Sequence, residues 1–360
     1  MISLGKGYDA RIVEVSGSSR QIGAKLGKLC GSLGASMVSN EKSRLKKSGV
    51  SWEEAVARAG EYFRYAGSFD PDYVEWLGAY SDSSGIPLNE LFVLLCDSEK
   101  GFCTDIMLNG KATADGSVFS VHTEDWRPAD SKHLVLLKGR PRGEPSYLAM
   151  SSAGMELICG MNSSGLSFTG NSLDQNDMRV GVPKLFLARR LLASRTISEA
   201  MFVATEEDRA SSYNVNICHK SGEMYCVEGS ATDYALIYGA QGYLVHTNHY
   251  LVPRMTRYES ESSDAIGRAL RHAAGTIVRY NRASRLVRNS LGSITVDTLK
   301  SILSDHVNYP SSICAHVHKA DSDEEPVKTL FSVIMDLTHS RMVLGIDNPC
   351  KGKWMEFELD

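Results

Sequence analysis

The amino-acid sequence predicts an antiparallel, layered α+β fold, and the order of its segments is the reason. The N-terminal third carries apolar residues at helical spacing, the middle alternates in short runs broken by turn residues, and the C-terminal part returns to strands after several helices. Hairpin strands followed by helices and then by further strands are typical of antiparallel layers. They argue against a doubly wound parallel sheet.

The N-terminal third is predicted to be mostly helical. RQIGAKLGKLCGSLGASMV at 20–38 has helical apolar spacing, and SWEEAVARAGEYFRYAG at 51–67 opens with a capping box from Ser51 to Glu54. PLNELFVLLCDSE at 87–99 begins on Pro87, a residue suited to the first turn of a helix. The basic run KSRLKK at 42–47 is interpreted as the solvated end of the first helix.

Strands are predicted beyond Cys103, where the pattern changes to alternation with frequent turns. They are GSVFSVHTEDW, HLVLLKG, SYLAMSSAG, GLSFTGNSL and the meander from 213 to 250. Helical patterns return at 184–194, at 196–207 with a capping box from Thr196 to Glu199, over roughly 262–290 and at 295–306. The segments 329–347 and 354–359 are predicted to be closing strands.

Composition excludes several classes of protein. The formal net charge of −4, from 39 basic and 43 acidic residues among 360, provides no positive field for nucleic acid. No run of about 18 apolar residues predicts a membrane span, and the N-terminus lacks the pattern of a standard secretion signal. We therefore expect a cytoplasmic protein that binds neither nucleic acid nor membrane.

The eight cysteines are spread along the chain and form no C-x-x-C pair. This spacing argues against a disulfide scaffold and against a zinc site, so the sequence predicts reduced thiols and no metal. Most cysteines lie in apolar runs where burial is the simplest interpretation. Cys103 differs because the polar segments TDI and NGK follow it closely.

Several separated motifs occur in an order that resembles a known family. They are Cys103-Thr104, HTEDW at 122–126, MNSSGLSFTGNSL at 161–173, GVP at 181–183, HTNH at 246–249 and NYPSSIC at 308–314. In this order the chain resembles the acyl-coenzyme A:6-aminopenicillanate (isopenicillin N) acyltransferase family of N-terminal nucleophile hydrolases. The resemblance covers nearly the whole chain.

The resemblance implies a four-layer αββα sandwich made as a precursor that cuts its own backbone between Phe102 and Cys103. A helical fragment, 1–102, would then stay bound to a catalytic fragment, 103–360, as one compact domain. The chemistry has a physical basis, because an α-amino group titrates at about 7.7–8.0 and is a suitable base for the thiol on its own residue. Attack on an amide or thioester would give a thioester acyl-enzyme.

Two further site residues, Asn248 and Asp125, are matched through the same resemblance. Asn248 is expected to donate to the oxyanion, with a turn-forming role as the alternative. Asp125 is expected to act in processing and in orienting Cys103, or else to be a surface charge. Thr104, Asn171, His246 and His316 are predicted to contact substrate, and His249 shares with His246 and His316 the alternatives of general base and structural hydrogen bonder.

Two positions depart from the family pattern. Ala315 and His316 follow Ser-Ile-Cys where the family has an arginine that pairs with the catalytic aspartate. We expect His316 to stand in as a cation for Asp125, which would make self-cleavage depend on pH. HTED replaces an amide-rich segment and is expected to alter substrate choice.

Three functional interpretations remain open. The first is an N-terminal cysteine amidohydrolase of a small N-acyl amine or short peptide, and the second is an acyltransferase that takes its acyl group from an acyl-CoA thioester. The third is a catalytically weak or unprocessed binding protein. No cofactor is expected beyond acyl-CoA as a donor substrate, and the expected partners are a small amide or thioester, the 1–102 fragment and, as an open alternative, further copies of the chain.

Overall fold

The computed structural model describes residues 2–3, 11–96, 101–260, 266–317 and 326–360, without the side chains of 2–3 and 266–274. Its helices are α1 (Ser19–Lys47), α2 (Trp52–Phe69), α3 (Pro71–Ser84), α4 (Leu88–Cys96), α5 (Lys184–Ala193), α6 (Ile197–Ala204), α7 (Ile266–Asn289) and α8 (Val296–Leu303). Its strands are β1 (Ile2–Ser3), β2 (Arg11–Gly17), β3 (Phe102–Leu108), β4 (Phe119–Trp126), β5 (Leu134–Pro141), β6 (Tyr147–Ser152), β7 (Glu156–Asn162), β8 (Leu166–Ser172), β9 (Tyr213–His219), β10 (Met224–Gly229), β11 (Tyr234–Tyr238), β12 (Tyr243–His246), β13 (Lys328–Asp336), β14 (Arg341–Ile346) and β15 (Trp354–Glu358).

The first of two compact units comprises Met1–Glu99, Lys132–Ser164 and Met178–Ser211. Its strands follow the order β1-β2-β5-β6-β7, with β2 parallel to β5 and the other pairs antiparallel. Helices α1 and α5 pack on this layer, α1 against β2 and α5 against β7. Tyr73 and Tyr80 on α3 are fully buried and donate their hydroxyls to the carbonyls of Met155 and Ala153.

The second unit comprises Lys100–Ser131, Gly165–Asp177 and Ser212–Asp360. Six of its strands form a sheet in the order β12-β3-β4-β13-β14-β15, and β8-β9-β10-β11 form a second antiparallel layer that packs against β3 and β4. Helices α7 and α8 cover the six-stranded sheet. An apolar cluster between them includes Ile106, Val121, Val287, Leu299 and Ile334.

The predicted α+β fold class is confirmed. The first unit has helices packed on a strand layer, and the second has two strand layers with helices on one of them. The predicted helices and closing strands are present, and Ser51 and Glu54 form the expected capping box. Of the helix predicted over 87–99, the residues from 97 onward lie outside the described part of the chain.

The structure corrects the sequence analysis in three places. Strand β2 lies in the N-terminal third and pairs in parallel with β5, because its alternating Val13 and Val15 bury one side. Helix α3 was not predicted, although Asp70 caps its start. Thr196 caps α6, but the Glu199 side chain accepts from the Arg195 amide, so the capping box is incomplete.

None of the helices in the described ranges combines the length and apolar character that a membrane span requires. The predicted division of the chain between residues 102 and 103 would arise from cleavage of the backbone. The two compact units are defined by packing and not by that cleavage, so the division stays a prediction.

Candidate active site

Two neighbouring strands of the second unit place four functional side chains on one face. Antiparallel pairing sets Cys103 opposite Glu124 and Asp105 opposite His122. Since side chains alternate along a strand, residues two apart in β3 and in β4 point the same way. The four side chains therefore form two adjacent cross-strand pairs.

These side chains form a continuous hydrogen-bonded chain that ends at the thiol. Cys103 Sγ lies 3.5 Å from Glu124 Oε2, and His122 Nε2 lies 3.1 Å from that same oxygen. His122 Nδ1 lies 2.6 Å from Asp105 Oδ1, and the amide of Asn216 on β9 donates to Asp105 Oδ2 at 2.6 Å. We call Cys103, Glu124, His122 and Asp105 the thiol network.

The charges in the thiol network determine its protonation. Burial raises the pKa of the Cys103 thiol well above its ordinary value, and Glu124, Asp105 and Asp125 raise it further, against a smaller opposing effect of Arg279. For His122, burial alone would lower the pKa, but its contacts with Asp105 and Glu124 outweigh burial and raise the pKa to about 10. At neutral pH the site therefore holds a neutral thiol and an imidazolium.

The opposite face of the same strands carries Asp125 and Thr104, next to Arg279 on α7. Arg279 donates to the Cys103 carbonyl and, at 3.0 Å, to Thr104 Oγ1. Asp125 Oδ1 accepts from Thr329 Oγ1 at 2.6 Å, and Asp125 Oδ2 has no hydrogen-bond partner among the described residues. Burial raises the pKa of Asp125 to about 7, although Arg279 and the Thr329 hydrogen bond lower it in part.

Asn248 brackets the peptide that precedes Cys103. It follows β12, which pairs with β3, and its Oδ1 accepts the Cys103 backbone N–H at 2.9 Å. Its Nδ2 donates to the carbonyls of Gly101 and Ser172, each at 3.0 Å. Arg279 donates to Asn248 Oδ1 at 2.8 Å and so fixes the orientation of the amide.

Asn171 has a buried side chain whose hydrogen-bonding capacity is unused. Both its Nδ2 and its Oδ1 lack a partner among the described residues, and the residue is 0% exposed. A buried amide without partners costs free energy, so Asn171 is a candidate to bind a polar atom. Its place in the substrate pocket stays a prediction.

The histidines of HTNH are engaged in structural hydrogen bonds. His246 Nε2 lies 2.8 Å from Glu228 Oε1, and its Nδ1 lies 2.6 Å from the Thr247 carbonyl. With both ring nitrogens engaged, His246 has no free nitrogen for a substrate. His249 Nδ1 lies 2.9 Å from Thr276 Oγ1, and burial, with His246 and Arg279, lowers its pKa to about 4.

The expectation that His316 replaces the family arginine is wrong. His316 lies against the side chains of His306, Cys314 and Cys350, while the cation beside Asp125 is Arg279. The physical reason is that α7 already places a guanidinium next to that carboxylate.

A metal ion is a poor fit to the thiol network, although ligand atoms of Cys103, His122 and Glu124 lie within 4.8 Å of one another. His122 uses both ring nitrogens on carboxylates, and its raised pKa keeps both of them protonated. An imidazolium has no lone pair for a metal. We interpret the set as a proton-transfer network.

Comparison with known proteins identifies the family of the chain. The chain belongs to the acyl-coenzyme A:6-aminopenicillanic acid acyl-transferase family, whose family model matches residues 112–351. The family resemblance is thereby confirmed, over a range that begins after Cys103, and the role of Cys103 stays a prediction.

Similar individual proteins were also found. The chain is 23% identical over 227 residues to the 40 kDa form of acyl-coenzyme A:6-aminopenicillanic-acid-acyltransferase from Emericella nidulans, an alignment that covers 62% of this chain and 60% of that relative. Penicillin V acylase from Agrobacterium tumefaciens aligns with a TM-score of 0.44 at 14% identity, covering 68% of this chain and 83% of that one. A mutant conjugated bile acid hydrolase from Clostridium perfringens aligns with a TM-score of 0.46 at 14% identity, covering 72% and 97%.

Proposed function

We propose that the chain cleaves itself between Phe102 and Cys103 and then acts as an N-terminal cysteine amidohydrolase on a small N-acyl amine or short peptide. The observation that carries this proposal is the position of Asn248, whose side chain holds both the Cys103 N–H and the Gly101 carbonyl. One amide group thus fixes the backbone on either side of Phe102.

The thiol lies on the side of Cys103 that self-cleavage requires. A Cβ atom built on Gly101 would lie 3.7 Å from Cys103 Sγ and 3.4 Å from Glu124 Oε1, so the thiol and the carboxylate lie alongside the preceding residues. Attack by a thiol on the carbonyl carbon of its own preceding peptide needs this placement. The geometry therefore favours the Phe102 carbonyl as the first acyl group.

The thiol needs a base, because burial and nearby carboxylates keep it protonated. Glu124, 3.5 Å away, is suited to accept the proton while Sγ bonds to the Phe102 carbonyl carbon. The C–N bond then breaks, the proton passes to the departing nitrogen of Cys103, and water hydrolyses the thioester. The products are a Phe102 carboxylate, a free amine and a free thiol.

Cleavage would convert the precursor contacts into catalytic ones. Asn248 Oδ1 would accept from the new α-amino group, which then serves as the base for the thiol. Departure of Gly101 would free Asn248 Nδ2 to donate to the oxyanion of a substrate, and the unpartnered Asn171 amide is suited to bind its polar atoms.

The two fragments are expected to stay associated. Within the first unit, β2 of the 1–102 fragment is paired along its length with β5 of the 103–360 fragment. The buried hydroxyls of Tyr73 and Tyr80 add hydrogen bonds between the same two fragments. Separating the fragments would expose this core, which is costly in water.

The second candidate is transfer of the acyl group from an acyl-CoA thioester to an amine. The family description and the named relative favour it, since both are acyltransferases that use acyl-coenzyme A. The same acyl-enzyme serves both reactions, and only the acceptor differs. A binding protein without turnover is the third alternative.

A single set of assays separates the three. Cleaved protein is incubated with short N-acyl amines or with an acyl thioester, with and without an added amine, and the mass of the 103–360 fragment is followed. We expect an acyl adduct that peptide mapping of this fragment locates on Cys103; release to water indicates a hydrolase, and release to the amine indicates a transferase. If none of these compounds gives an adduct or turnover, the result favours a binding protein.

A further inference from the structure

Four potential metal ligands meet in the second unit, away from the thiol network. They are His306, Cys314, His316 and Cys350, and their ligand atoms all lie within 4.8 Å of one another. His316 Nε2 lies 3.1 Å from His306 Nε2, 3.4 Å from Cys314 Sγ and 3.7 Å from Cys350 Sγ. We call these four residues the His2Cys2 cluster.

These separations match the edges of a tetrahedral zinc site. Zn–N bonds of about 2.0–2.1 Å and Zn–S bonds of about 2.3 Å place tetrahedral ligands roughly 3.3–3.8 Å apart. The three distances from His316 Nε2, 3.1, 3.4 and 3.7 Å, agree with that range to within a few tenths of an ångström. Two thiolates and two imidazoles also neutralise a divalent ion without further charges.

The ligands come from segments that other contacts hold in place. Asp305, next to His306, accepts from Arg282 Nη2 at 2.6 Å and from the Cys314 backbone N–H at 3.1 Å. Asn348 donates to the Ala315 carbonyl at 2.6 Å and contacts Cys314 Sγ at 3.7 Å. Hydrogen bonds of this kind, to the residues that carry or adjoin metal ligands, orient the ligands in known metal sites.

The nearby cations do not compete with a bound ion. Lys328 and Lys351 both pair with the carboxylate of Asp347. Cys314 is buried and Cys350 is exposed, so a metal ion has a route to the cluster from the surface. The ring of Tyr309 lies against both histidines and covers them in part.

We propose that the His2Cys2 cluster binds one Zn²⁺ as a closed, structural site. All four positions of a tetrahedral ion are filled by protein, so this site has no open position for catalysis. On binding, the two thiols release their protons to water, and no electron is transferred.

The proposed ion would also support the active-site face that carries Asp125. Ala315 lies between the ligands Cys314 and His316, and its backbone N–H donates to Thr329 Oγ1 at 2.9 Å. The same Thr329 hydroxyl donates to Asp125 at 2.6 Å. Fixing the 306–316 segment therefore fixes the hydrogen-bond donor of Asp125.

The test is a titration of the full-length Cys103→Ala chain with Co²⁺ under reducing conditions, followed by displacement with Zn²⁺. The Cys103→Ala change keeps the chain uncut and removes the thiol of the other candidate cluster. We expect about one equivalent of Co²⁺ with tetrahedral absorption and a thiolate charge-transfer band, both abolished by Zn²⁺.

Cys350→Ser and His306→Asn test the ligands, and His339→Asn is the matched histidine control, since His339 is 56% exposed and contacts Asp336. Each ligand change should weaken metal binding by more than the roughly 10-fold to 100-fold typical of outer-shell changes. The control should bind as the parent does. The proposal would be overturned if the Cys103→Ala chain bound no stoichiometric tetrahedral Co²⁺. It would also be overturned if Cys350→Ser and His306→Asn bound the metal as tightly as the Cys103→Ala chain does.

Discussion

Replacing Asp125 by asparagine should make the protein more stable, and more so as the pH rises. Asp125 is 1% exposed, and burial raises its pKa from 3.8 to about 7. The folded state therefore binds this proton more tightly than the unfolded chain does. The contribution of this proton to the free energy of unfolding is fully present below about pH 4 and is lost as the pH rises through about 7. Asparagine keeps the shape, and its carbonyl still accepts from Thr329.

The magnitude follows from the size of the shift. A difference of about three pH units corresponds to at most about 4 kcal/mol of unfolding free energy at pH 8. Because 1 kcal/mol shifts the melting temperature of a domain of 150–250 residues by roughly 2–4 °C, several degrees are expected. His122, whose pKa is about 10, is present in both proteins, and its lowering effect on the pKa of Asp125 is already contained in the shift.

Melting temperatures at pH 5 and pH 8 measure the effect, with both proteins in a Cys103→Ala background so that neither is cut. Asp177→Asn is the control of opposite sign. Burial acts to raise the pKa of Asp177, but hydrogen bonds from Thr232, Ser230 and backbone amides lower it overall, so this change should destabilise the protein at pH 8. An Asp125→Asn advantage that is no larger at pH 8 than at pH 5 would refute the reasoning.

Three further predictions concern the remaining site residues. Glu124→Gln should slow self-cleavage by about 100-fold or more, because it removes the base next to the thiol; gel bands followed over time measure this, and an unchanged rate would exclude Glu124. Asn248→Ala should raise the barrier for kcat of the cleaved enzyme by about 2.7–4 kcal/mol, and an unchanged kcat in a folded variant would limit Asn248 to holding the backbone around Phe102. Ala315→Arg should lower the melting temperature without speeding cleavage, since Ala315 is buried and Arg279 already lies beside Asp125; faster cleavage would show that Asp125 lacked a sufficient cation.

The candidate site residues that could be predicted from the sequence lie within short local motifs. Cys103, Asp125 and Asn248 stand in short segments whose order is distinctive, and the structure brings all three together around Arg279. Arg279 itself was missed, because a single arginine in a long amphipathic helix has no local mark.

The thiol network was missed for a related reason. Cys-x-Asp in β3 and His-x-Glu in β4 each show a period of two, which was a usable signal for one strand face. Only the antiparallel register sets Cys103 opposite Glu124, and register depends on contacts that sequence spacing does not reveal. The segment HTED was accordingly interpreted as a substrate determinant.

The His2Cys2 cluster shows the limit of rules based on spacing. The absence of a C-x-x-C pair was used against zinc, yet Cys314 and Cys350 are brought together from segments 36 positions apart in the sequence. Asn348 joins the two segments through the Ala315 carbonyl. Long-range packing, which spacing rules do not describe, creates this cluster.

The intact mass of freshly purified protein, followed over days beside Cys103→Ala, tests the proposed self-cleavage most directly. We predict that the wild-type chain divides into two fragments that remain associated, and that the second begins at Cys103 on N-terminal sequencing. Cys103→Ala should stay whole throughout. A wild-type chain that remains whole, or a Cys103→Ala chain that is cut at the same bond and rate, would contradict the proposal.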